Sequence, residues 1–129
     1  AQERQAYAKR PRIKTLTSIS ARSSVDAEYL NGWQERIEII GNLNYPQEAR
    51  SKQLYGELRL LVSLLPDGSV NNIEILQSSG KRVLDDAAIR IVRLSSPFAP
   101  FPYELKKDVD QLEIIRTWKF ERGNKFSSE

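Results

Sequence analysis

Glu57-Leu58-Arg59-Leu60-Leu61-Val62-Ser63-Leu64-Leu65, then Pro66-Asp67-Gly68, then Val70-Asn71-Asn72-Ile73-Glu74-Ile75-Leu76-Gln77: this stretch decides the fold. Leu58, Leu60, Val62 and Leu64 fall on one face of an extended chain, with Glu57, Arg59, Leu61 and Ser63 on the other. That period of two marks a strand with one buried face. Pro66 sets the first φ of a tight turn, and Gly68 accepts a positive φ. The chain returns as a second strand over Val70–Gln77 with Ile73 and Ile75 inward, so the pair is predicted to be an antiparallel hairpin.

Helices are predicted on both sides of the hairpin. Upstream, Tyr29, Trp33, Ile37 and Ile40 recur at helical spacing between about Ser24 and Ile40. Ser23 with Asp26 approximates a capping box, and Gly41 suits a left-handed stop. A short second helix is expected to start at Pro46 and end before Gly56. Downstream, Leu84, Ala88, Ile91 and Val92 predict a helix over Lys81–Leu94, which Pro97, Pro100 and Pro102 cannot continue. Asp110–Glu121 alternates again, with Leu112, Ile114, Trp118 and Phe120 on one face. The order helix, helix, strand, strand, helix, strand predicts an α+β two-layer sandwich: a three-stranded antiparallel sheet with helices on one face, plus an N-terminal helical extension.

Composition excludes more than it suggests. The 129 residues make one domain, and with no His and no Cys there is no Ser–His or Cys–His nucleophile, no disulfide and no ordinary zinc or haem site. An enzyme is not expected, nor any cofactor. No apolar run reaches the roughly 18 to 20 residues that cross a bilayer. There is no signal-peptide pattern and no Met, even at position 1, so the chain reads as a processed or truncated piece whose membrane anchor lies elsewhere. Up to Arg22, six basic residues face one acid, a net of +5; from Ser23 onward, fourteen face sixteen, a net of −2. A basic arm on a slightly acidic body reads as a flexible linker over 1–22 near a membrane or polyanion, rather than as a nucleic-acid-binding domain.

Three features are candidates for function. Asp85 and Asp86 are adjacent on a helix and point about 100° apart, so they stabilise the helix start rather than share a site. Phe98-Ala99-Pro100-Phe101-Pro102 is read as a rigid return path whose aromatics cap the core, with a proline-rich ligand for another domain as the alternative. The third is backbone. Asp110–Glu121 is predicted to be a sheet edge, long and free of Pro, and such an edge either takes a guest strand or is covered by the arm or by a second copy. Arg116 sits on the apolar face of that strand, where it either reaches the sheet end or pairs with a carboxylate. The opposite face keeps Leu61, Leu65, Leu76 and Ile115; Tyr29, Trp33 and Ile37 either cover these or pack beside the other helices.

An ordered set of motifs then stands out: Tyr45-Pro46-x-x-Ala49-Arg50, Gly56, Pro66-Asp67-Gly68-x-Val70, Ser78-Ser79-Gly80, Leu84-Asp85-x-Ala87-Ala88 and Ile114-x-x-Thr117-Trp118-x-Phe120. Over Asn42 to Phe120 the chain resembles the C-terminal domain of TonB proteins, and the preceding helix is similar to an extension of some members. The resemblance implies a flexible linker over 1–22, an extension helix over 23–41 and the C-terminal domain over 42–129. It further implies an energy transducer of the Gram-negative envelope. The whole protein would be held in the inner membrane by a single-pass helix, coupled to ExbB and ExbD through a part outside this chain, with this domain in the periplasm. There it would capture the TonB box of outer-membrane transporters, as in siderophore uptake, by β-strand addition beside the last strand. That places the guest peptide on Gln111, Leu112, Glu113, Ile114, Ile115, Arg116, Thr117, Trp118 and Lys119. Contact with the transporter plug would fall on Asn42, Leu43, Asn44 and Tyr45, although Asn42-Leu43-Asn44 stands where many members carry Gln-Pro. A TolA-like envelope scaffold linking the two membranes shares this architecture; the Tyr-Pro and Pro-Asp-Gly landmarks favour TonB.

Overall fold

A computed structural model describes residues 10–17, 20–21 and 23–129. In chain order the elements are β1 (Ile13–Leu16), α1 (Ser24–Leu43), α2 (Gln47–Lys52), β2 (Gly56–Leu64), β3 (Val70–Gln77), α3 (Arg82–Ser95), α4 (Tyr103–Lys106), β4 (Gln111–Glu121) and β5 (Lys125–Ser128). The central hairpin forms as the alternation requires. Leu58, Leu60, Val62 and Leu64 are at most 1% exposed. Gly68 has φ of +87°, and a Cβ there would meet the Phe98 carbonyl oxygen at 2.1 Å, so the turn demands glycine on both counts.

Among the described residues the sheet has five strands, not three. β4 pairs antiparallel with the whole length of β2, Gly56 opposite Phe120 through Leu64 opposite Leu112. β2 also pairs with β3, with irregular register at Arg59/Leu60 and Ser63/Leu64. The two strands that the alternation did not predict lie on the far side of β4. β1 pairs with it in parallel and β5 in antiparallel fashion. Part of the stretch expected to be a flexible linker over 1–22 is therefore strand; Ala1–Lys9, Ser18, Ile19 and Arg22 lie outside the described residues.

The helices cover one face of this sheet, as expected. Trp33 of α1 lies edge-on to Trp118 of β4 at 6.3 Å and against Phe98 at 5.6 Å, and Tyr29 meets Phe101 edge-on at 5.6 Å. Tyr29, Trp33 and Ile37 thus pack beside the other helices and leave Leu61, Leu65 and Ile115 half-buried on the open face. The Tyr29 hydroxyl donates to the Ala99 carbonyl at 2.7 Å, and burial pushes its pKa up to about 12.

Gly41 does not stop α1. The helix runs on to Leu43 and is capped at Asn44, whose side-chain nitrogen donates to the Ile40 carbonyl. Gly41 is needed for approach: a Cβ there would lie 2.3 Å from the ring of Phe126 on β5. At the other end the Ser23 hydroxyl accepts from the Asp26 N–H at 3.0 Å, but the Asp26 carboxylate turns away from the cap to Lys14. Asp85 accepts from the Ser78 hydroxyl and from both the N–H and hydroxyl of Ser79, so it fastens the turn after β3 to α3. Burial opposes its ionisation, and those hydrogen bonds outweigh burial, leaving its pKa below the usual carboxylate range.

Candidate functional site: the outer flank of the last long strand

β4 alternates without a break, with Leu112, Ile114, Arg116, Trp118 and Phe120 buried under the helices. Gln111, Glu113, Ile115, Thr117 and Lys119 are half-buried on the open face. One backbone flank is taken by β2. The other, expected to be an unpaired edge, is covered by the chain itself, because two short segments at opposite ends of the sequence both reach it. Among the described residues, β3 is left unpaired on its outer flank at one side of the sheet, and β1 and β5 are left so at the other.

Two covers share the flank, and they are anchored differently. β5 spans Trp118 to Glu121, and Thr117 and Glu129 exchange both backbone hydrogen bonds just beyond it. Phe126 is 1% exposed and contacts Trp118 at 5.2 Å and Phe120 at 5.1 Å. The Asn42 amide grips the Phe126 backbone from the helix side, its oxygen accepting from the N–H and its nitrogen donating to the carbonyl, both at 3.0 Å. Arg116 adds to this. Its Nη2 donates to the Gln34 side-chain oxygen and, at 3.3 Å, to the Ser128 carbonyl. Arg116 thus meets neutral oxygens rather than the sheet end or a paired carboxylate, and burial pulls its pKa down. β5 is part of the core.

β1 spans Gln111 to Ile114 and has a lighter hold. The Arg12 carbonyl accepts from the N–H groups of Asp110 and Gln111 at 2.8 and 3.2 Å. The Arg12 guanidinium forks onto the Asp110 carboxylate at 3.1 and 3.2 Å, with both residues well exposed. This contact raises the Arg12 pKa and depresses that of Asp110. Lys14 reaches Asp26 of α1 at 2.5 Å; the carboxylate is buried and the lysine side chain is 41% exposed. Leu16 is the one side chain of β1 fully inside the core, contributing about 1.5–3 kcal/mol of apolar burial. Ile13 stays half exposed, and Thr15 touches Glu113 on the open face at 3.5 Å.

The four residues expected at a transporter plug part company. Asn42 is the clamp on β5, and Tyr45 is buried edge-on to Phe120 at 5.6 Å. Leu43 and Asn44 are exposed at the end of α1. Arg12, Lys14, Leu16 and Glu129 carry no functional signal in the sequence, and Asp26 reads there only as part of a helix cap, although Ile13 and Thr15, two residues apart, are β-branched as a short strand prefers. No helix among the described residues is long and apolar enough to cross a membrane. The flank presents backbone pairing and alternating side chains, both engaged by β1 and β5.

Comparison with known proteins gives one answer. The chain is 32% identical over 74 residues to Protein TonB of Pasteurella multocida (strain Pm70), an alignment covering 57% of this chain and 29% of that protein. The chain thus matches under a third of the length of that curated relative. The fold is similar to the solution structure of the Helicobacter pylori TonB C-terminal domain in a longer form (TM-score 0.58, 22% identity, 80% of this chain and 91% of that one). It is also similar to a shorter form of that domain (TM-score 0.54, 20% identity, 72% and 92%). Residues 41–122 match the family described as Gram-negative bacterial TonB protein C-terminal, and the chain belongs to that family.

Proposed function

We propose that this domain is the periplasmic, partner-capturing end of a TonB-type energy transducer, without catalytic activity of its own. A part of the protein outside this chain holds it in the inner membrane and couples it to ExbB and ExbD. The guest is the TonB box of an outer-membrane transporter, and it adds as a strand along Gln111–Lys119 of β4. Leu43 and Asn44 are the residues of the Asn42–Tyr45 segment free to touch the transporter plug.

One observation carries this reading: the outer flank of β4 already accepts an extended segment, since β1 lies there in parallel register, Ile13 opposite Gln111 through Leu16 opposite Ile114. Strand addition supplies main-chain hydrogen bonds to any extended peptide, while alternate side chains select among sequences. Micromolar affinity, about −8 kcal/mol, suffices for a transient tether. A strand pulled along its axis loads its hydrogen bonds together, so the tether resists shear better than its resting affinity suggests.

The test is a titration of the labelled domain with a TonB box peptide, followed by amide shifts. The largest changes are expected on Gln111–Lys119. If they fall instead on Val70–Gln77, the vacant edge of β3 is the docking strand and the assignment to β4 is wrong.

A further inference from the structure

Two covers occupy the capture flank, and only one of them is built to leave. β5 is held by an aromatic cluster, by the Asn42 clamp and by Arg116. β1 has four residues, one buried side chain and one ion pair, and Arg12 just before it adds a second. Thr15 touches Glu113 on the open face, while the charged and buried contacts come from Arg12, Lys14 and Leu16, which are two residues apart and so share the other. Their receptors are fixed parts of the body: Asp110 at the start of β4, Asp26 in the first turn of α1, and the core beneath Ile114.

We propose that Arg12–Leu16 is a resident strand occupying the capture flank in competition with the guest, and that Asp26 and Asp110 make this half of the flank prefer an extended parallel peptide with a cation two residues before an apolar side chain. The inference rests on reading the outer flank of β4 as the capture site. A guest entering at Gln111–Ile114 must displace β1 and replace what β1 supplied. An apolar residue must fill the place of Leu16, and a cation must answer the buried Asp26 carboxylate, since a buried charge stripped of its partner is costly. The short connection from β1 to α1 keeps the resident strand at high effective concentration, so it returns when the guest goes. Ordinary guests are thereby held off; a guest on Gln111–Ile114 has only β1 to peel away, and one that reaches Thr117–Lys119 must lift the end of β5 as well.

The chain has no cysteine, so a reversible lock is available. Thr15 and Glu113 are register partners whose side chains touch on the open face. Their Cα atoms, about 4.8 Å apart as in any adjacent strands, fall within the range a disulfide spans. The probe is a fluorescent synthetic peptide with the sequence of residues 11–17, Pro-Arg-Ile-Lys-Thr-Leu-Thr, read by anisotropy and amide shifts on the full chain. Leu16→Ala empties the pocket that the probe's own leucine can fill, so the probe should bind this variant at least about tenfold more tightly than the unmodified chain. Replacing the probe's lysine by glutamate should weaken binding to Leu16→Ala by about tenfold or more. In the Thr15→Cys/Glu113→Cys double variant, oxidation should abolish binding and dithiothreitol should restore it. Lys14→Gln, which leaves the core intact, gives the same direction of change should Leu16→Ala fold poorly. Shifts on Gln111–Ile114 with affinity indifferent to the lock and to both loosening variants would overturn the resident strand and leave the capture site standing. Shifts confined to Val70–Gln77 would overturn the capture site as well.

Discussion

The sheet ends in two contrasting ways. Beyond β4 the backbone is covered twice, by β1 from one end of the sequence and β5 from the other. Beyond β3 the described residues place no strand at all. Both strands are long and neither contains proline, so both are potential templates for a guest. β3 is blunted locally, by two register irregularities against β2 and by exposed Asn71, Asn72 and Glu74. β4 is regular in register and apolar beneath, and it is blunted by cover. A strand whose pairing capacity is kept intact but occupied is one whose access can be switched; irregularity weakens that capacity instead of gating it.

The comparison is broken most forcefully at Phe126. Phe126→Ala removes the ring joining Trp118 and Phe120 to α1, and a loss of about 3–5 kcal/mol in denaturant unfolding is expected. Leu16→Ala should cost less, about 2 kcal/mol or under, because a four-residue strand can detach locally instead of straining the whole fold. Equal losses would mean that β1 is as much a part of the core as β5, and the distinction between the two covers would fall.

Two glycines on α1 sharpen the same contrast. Gly41→Ala places a methyl inside the Phe126 ring, and overpacking of that kind costs about 1–3 kcal/mol even though alanine favours the helix. At Gly32 an added Cβ meets nothing within 4 Å, so Gly32→Ala should gain up to about 1 kcal/mol. Thermal melts of the two variants should therefore move in opposite directions.

How much of this was legible beforehand follows from what each signal measures. Periodicity reports burial of one face, so β2, β3, α1, α3 and β4 could be read with small shifts at their ends. The α+β class with helices on one face followed from their order. Periodicity says nothing about which backbone flank a strand pairs on, so it carries no sign that β4 is covered on both flanks. β1 is too short for its alternation to stand out within a basic arm, and β5 follows Gly123-Asn124, a pair that suits a hairpin turn and takes a left-handed backbone here, φ +85° and +56°. Gly41 was read by the local rule that ends helices, and a tertiary contact overrode it. Asn42 was assigned a partner outside the chain, while its amide is engaged within it.

The smallest expected effect separates the two flanks by charge. Asp110 fastens the cover on β4, and Asp85 fastens the turn that closes β3. Hydrogen bonds from Arg12 hold Asp110 below the usual carboxylate range, and those from Ser78 and Ser79 do the same for Asp85 against the opposing effect of burial. A carboxylate whose pKa is lower folded than unfolded adds stability that is fully present above its unfolded value of about 3.9 and is lost as pH falls through the folded one. Both contributions therefore persist at neutral pH and fade only below about pH 4. Amide shifts of Gln111–Ile114 should follow the first titration, and those of Ser79 and Gly80 the second. Asp110→Asn should reduce the acid response of Gln111–Ile114 while leaving that of the β3 turn in place, since Arg12 acts on Asp110 alone of the two. If Asp110→Asn flattened both responses, or neither, β1 would not be held by its own switchable contact, and the covered flank would be no more responsive than the bare one.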